Sequence, residues 1–143
     1  MPHALGRFLL LAFPLLVLTM GLGGLALETF DLVPDAGELA RLGLAARPSL
    51  GSGRVLGGWV LESLALLALF LLLHGRTSAR WLDGVAAAWI AWIYRGPVLV
   101  LTVLTWTSLS RQPWWGLSLY WLVLYTLCGL ILGAVARGVR LEH

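Results

Sequence analysis

The sequence predicts an all-α integral membrane protein: an antiparallel bundle of four transmembrane helices with a short amphipathic surface helix in the first loop. Three observations lead there. Hydrophobic residues make up 59% of the 143 residues and the mean hydropathy is +0.88, a balance that leaves too little polar surface to cover a soluble core. Four apolar runs, at about residues 8–27, 55–73, 84–109 and 116–136, are each long enough to cross a bilayer. The runs are separated by one long loop and two short polar turns, and short turns set neighbouring helices antiparallel. Residues 1–140 therefore read as a single membrane domain. The last three, Leu141-Glu142-His143, resemble the start of a cloning-site and histidine-tag scar, so Glu142 and His143 enter no functional argument.

The first run, Phe8 to Leu27, is uncharged and follows Arg7. A cleaved signal peptide is the competing reading, but its apolar region would be shorter and no clear small-x-small cleavage site follows. Pro14 removes one helical hydrogen bond, and Gly21, Gly23 and Gly24 permit close backbone approach. A bent helix with a tightly packed C-terminal half is expected.

Glu28 to Arg54 forms the long loop. Asp35 and Glu38 have capping-box spacing, and Leu39, Leu42 and Ala46 then repeat at helical intervals. This predicts a helix of about three turns at the membrane surface, either a plain connector or a cap over the outer mouth of the bundle. Pro48 and Gly51-Ser52-Gly53 end it.

The second run, Val55 to Leu73, holds one charge, Glu62. A polar turn from His74 to Arg80 follows, and Trp81 and Asp83 open the third run, which extends from Gly84 to Leu109. Its one charge is Arg95. Gly96-Pro97 predicts a kink or local break, because Pro97 cannot donate to the Ile93 carbonyl. Ser110 to Pro113 reads as a turn, and Trp114-Trp115 marks an interface, as do Trp59, Trp81 and Trp106 near other span ends. The fourth run, Gly116 to Ala136, carries Gly129-x-x-x-Gly133. Ala87 and Ala91 repeat that small-residue spacing on the third, so both are candidate packing faces, within one chain or between two.

Orientation follows from arginine placement. With the N-terminus inside, Arg7, Arg76, Arg80, Arg137 and Arg140 are cytoplasmic, against Arg41, Arg47, Arg54 and Arg111 outside. Both termini are thus expected in the cytoplasm, with the protein in a bacterial inner membrane.

The candidate centre is a pair of charges. Glu62 lies about eleven residues before the end of its run and Arg95 about eleven after the start of the next. In an antiparallel hairpin both sit roughly 16 Å deep, near the bilayer midplane. Thr19 and Tyr125 fall at the same depth on the first and fourth helices. Trp92, three residues before Arg95, offers an indole face to the guanidinium. Thr102 and Thr105 continue the Arg95 face, so a polar stripe beside a water-filled path is one reading. A structural network, with Glu62 neutralising Arg95 and Tyr125 and Thr19 completing the hydrogen bonds, is the other. Glu62 as a proton- or cation-coupling carboxylate is a variant of the first.

Other chemistries lack their parts. No basic stripe with interleaved aromatics points to nucleic acid. Cys128 is the one cysteine, which removes disulfide and CxxC chemistry, and its apolar run suggests an inert packed thiol. His74 and His3 have neither metal-ligand nor paired-haem spacing, and no cofactor is implied. Ser108, Ser110 and Ser118 have no evident base, and no phosphate cradle occurs. The expected function is a non-enzymatic membrane subunit or assembly partner, bound to other membrane subunits or to copies of itself. A small transporter or channel past Glu62 and Arg95 is the alternative, and a lipid-acting enzyme the third.

Overall fold

A computed structural model describes residues 2–29, 53–75, 80–106 and 111–139. The amphipathic helix expected at 35–46, residues 76–79 of the turn expected at 74–80, residue 110 of the turn expected at 110–113, and residues 140–143 lie outside the described residues. Every described element is helical: α1 (Pro2–Thr29), α2 (Gly53–Leu73), α3 (Arg80–Ile93), a π-helical segment π1 (Tyr94–Val98), α4 (Leu99–Trp106) and α5 (Arg111–Gly138). They contain four stretches long and apolar enough to cross a membrane, His3–Leu27, Gly53–Leu73, Trp81–Thr105 and Trp114–Gly138, which suggests a membrane location.

The helices begin earlier than the apolar runs do. Pro2 starts α1, where a missing N–H costs nothing, so His3 belongs to the first helical turn. Likewise Arg111, Gln112 and Pro113 are the first turn of α5 and not a connecting turn, because proline is tolerated there.

Burial on α1 repeats about every fourth residue, at Phe8, Ala12, Leu16 and Met20, with Leu27 further along, while Leu10, Leu18, Leu22 and Leu25 are exposed. The helix runs unbroken through Pro14, which is exposed beside Phe13 and Leu64. Phe8 stacks on Phe70 of α2 with ring centroids 5.3 Å apart, and further along Gly21 lies against the indole of Trp59. Against α5, the Tyr120 hydroxyl donates to the Gly23 carbonyl at 2.6 Å.

Gly75, with φ 89°, ends α2 in the left-handed region that glycine tolerates. Its N–H donates to Oδ2 of Asp83 at 3.0 Å, and Nδ1 of His74 lies 3.8 Å from the same oxygen. Asp83 is almost fully buried, and the His74 ring lies 5.2 Å from Phe70. The start of α3 is thereby pinned to the end of α2.

The closest packing joins α3 to α5. A Cβ added to Gly84 would sit 2.1 Å from the Gly129 carbonyl oxygen and 3.1 Å from the Gly133 nitrogen; one added to Gly129 would meet Ala88. Two backbones touch here, which only residues without bulky side chains allow. Further along, Gly96 faces the side chain of Ser118. As numbers rise from 84 to 96 along α3 and π1, they fall from 133 to 118 along α5. With partners in α1 and α3, α5 is the innermost helix: 44% of its most apolar stretch is buried, against 22–28% for the other three.

Candidate functional site

Glu62 near the middle of α2 and Arg95 in π1 form an ion pair through Oε1 and Nη1. Their side chains keep 18% and 38% of their exposure. Two groups from α5 complete the cluster. Tyr125 lines the same groove as Glu62, with its phenol beside the carboxylate, and the Trp121 ring lies under the guanidinium, 4.4 Å from Cζ to its centroid. Trp121 meets Tyr125 edge-on at 6.2 Å, so the two rings brace each other. A cation stacked on an indole and neutralised by a carboxylate is well compensated where solvent is scarce.

The π segment shapes this arrangement. Pro97 has no N–H, so an ordinary α-turn cannot close at that point. The helix widens instead of breaking: the Leu99 N–H reaches back to the Tyr94 carbonyl, five residues away. The local break anticipated at Gly96-Pro97 is thus a wide turn inside a continuous span. Gly96 is buried there, and a Cβ on it would clash with Ser118 Oγ and Trp92 Nε1, both 2.6 Å away. The wide turn holds Arg95 where both Glu62 and Trp121 reach it.

The indole of Trp92 is not the partner of Arg95; its Nε1 donates to the Ser118 carbonyl at 2.8 Å, because Gly96 brings π1 close to α5. Thr19 does not join the cluster, its hydroxyl donating to the Leu15 carbonyl of its own helix at 2.7 Å. Thr102 and Thr105 do the same to Val98 and Leu101, at 2.8 and 2.7 Å, and both are exposed. Each of these hydroxyl protons is thereby committed to its own helix, leaving only the oxygen lone pairs for other partners. Gly129 and Gly133 meet Gly84 and, at Gly129, Ala88, a small-x-x-x-small pair that the sequence also displays; Ala87 is buried beside it, and Ala91 lines a groove shared with Glu62 and Arg95. Cys128 is fully buried.

An open groove of about 430 Å³ runs beside the ion pair between α2 and π1, with Ala65, Leu69, Ala91, Tyr94 and Leu99 among its walls. Glu62 Oε2 and Arg95 Nε are buried next to it with no hydrogen-bond partner among the described residues. No three His, Cys, Asp or Glu side chains among those residues converge as a metal ion would require.

Comparison with protein-family models, characterised proteins and solved structures gives no match. The functional reading therefore rests on the cluster itself.

Proposed function

We propose that the chain is an antiparallel four-helix bundle inserted in a membrane, acting as a non-enzymatic subunit in which Glu62 and Arg95 lock the register of α2 against π1 and α5. The observation that carries this reading is how the arginine's charge is used. Arg95 is neutralised by Glu62 and stacked on Trp121, while the threonines that would have extended a polar path bond their own backbones. A charge satisfied in this way fixes geometry, because the carboxylate and the guanidinium are committed to each other. The order of contacts supports the antiparallel arrangement: Phe8 with Phe70 but Gly21 with Trp59, and Gly84 with Gly129 but Gly96 with Ser118. Large apolar side chains are exposed on every long helix, among them Leu10, Leu61, Leu72, Leu119 and Val123, as lipid or a partner subunit requires.

A second reading draws on the groove. Its 430 Å³ opening and the unpartnered Glu62 Oε2 suit a small transporter whose path passes the pair. One comparison separates the two. The protein is isolated in mild detergent from its own membrane and also reconstituted into liposomes. A stoichiometric assembly with no ion or solute flux supports the subunit. A lone monomer whose flux disappears in a Glu62→Gln variant that still accumulates sinks it.

A further inference from the structure

Two polar side chains stand open at the groove. The Tyr94 side chain lies on its rim with 71% of the residue exposed, and its hydroxyl makes no hydrogen bond among the described residues. Its neighbour Arg95 keeps 38% of its side chain exposed despite the pairing with Glu62. Both lie well inside the Trp81–Thr105 span. Hydrocarbon at that depth offers no partner to a phenol or a guanidinium.

We propose that this groove is a self-association site, closed by a second copy of the chain whose Tyr94 hydroxyl accepts a hydrogen bond from Arg95 of the first. The proposal rests on the subunit reading and names its partner. The chemistry of the pair selects an uncharged occupant. Glu62 already balances Arg95, so another carboxylate would bury an excess negative charge, whereas a phenol oxygen accepts from the guanidinium and adds none. Depth fits a copy of the same chain, which brings its own unpartnered phenol to the open guanidinium. A two-fold axis along the membrane normal brings every residue against others at its own depth, and the contact is reciprocal. Tyr94 and Arg95 are consecutive, separated by about 1.5 Å of helical rise. Each copy's phenol then arrives level with the other's guanidinium. The walls permit entry, because Ala65 and Ala91 present only methyl groups to the groove.

The test uses the full chain in its own membrane, in a Cys128→Ala background that removes the one native thiol. Leu99→Cys places a thiol in the groove wall, and Leu119→Cys places one on the outer face of α5, where 62% of the leucine is exposed. Mild oxidation should link two chains through the cysteine at 99 and not through that at 119. Tyr94→Phe keeps the ring and removes the hydroxyl at an exposed position, so folding is preserved. It should weaken dimers in detergent roughly ten- to hundredfold, because the reciprocal contact loses two interhelical hydrogen bonds, each worth about three- to tenfold in a membrane. Cross-linking at 119 alone, or dimers indifferent to Tyr94→Phe, overturns the proposal. A different membrane protein held at fixed stoichiometry and shielding the cysteine at 99 from a maleimide overturns the second copy but leaves the subunit reading standing. A monomer with that cysteine fully reactive and no associated chain overturns both.

Discussion

Arg95 meets three kinds of partner at once: a carboxylate from α2, an indole face from α5 and an open groove. Removing one charge leaves the other buried without compensation, while removing both leaves an apolar gap that neighbours can partly fill. Glu62→Gln and Arg95→Met should therefore each destabilise the protein by about 3 kcal/mol, at the lower end for a broken buried pair because Arg95 is partly exposed. The double variant should recover a large part of that loss. Reversible unfolding in mixed detergent micelles measures the cycle, and strictly additive losses would show that the two side chains are not coupled. Tyr125→Phe should cost less, about 1 kcal/mol, because it removes only the phenol's polar contact beside Glu62 and leaves the ion pair and the Trp121 contact in place.

At the scale of elements, two features set the bundle's geometry. The first is the backbone contact between α3 and α5. Gly84→Ala would place a methyl on the Gly129 carbonyl, and the obstacle is backbone, which cannot rotate away. A loss of about 2 kcal/mol or more is expected, as for other overpacked sites. Gly58→Ala and Gly116→Ala, where an added Cβ meets nothing, should be neutral or slightly stabilising in the same assay. Equal losses at all three positions would mean that close approach is not what Gly84 provides. The second feature is the turn held by Asp83. Asp83→Ala leaves the Gly75 N–H without its acceptor and should cost about 1–3 kcal/mol. Faster hydrogen exchange at Gly75 and His74 would report it, and unchanged exchange would count against this role.

At the scale of the whole molecule, the proposed bundle places Arg7 and Gly138 on one side of the membrane and Gly53 on the other. Single cysteines at 7, 138 and 53, introduced with Cys128→Ala, should divide accordingly when intact cells are treated with an impermeant maleimide. Only the cysteine at 53 should react before the membrane is opened, given the arginine bias toward cytoplasmic termini. Labelling at 7 and 138 alone would invert the orientation while keeping the bundle; labelling at 7 without 138 would break it.

What the sequence determined by itself is whatever depends on position along a helix. Apolar length marks the four spans, and a lone charge in each of two neighbouring runs puts Glu62 and Arg95 at one depth, since rise per residue is fixed. What only the tertiary structure decided is rotation about each axis and the separation between axes. Thr19 shares the depth of Glu62 yet bonds Leu15, and Trp92 is Arg95's neighbour in sequence yet serves Ser118, leaving Trp121 from another helix to meet the cation. Gly84 and Ala88 stand in the sequence at the same spacing as Gly129 and Gly133, but which small faces meet was settled by packing. The π turn belongs to the same class. Proline predicts a disturbance, whereas the choice between a break and a widened turn depends on the contacts that Gly96 and Arg95 gain from neighbouring helices.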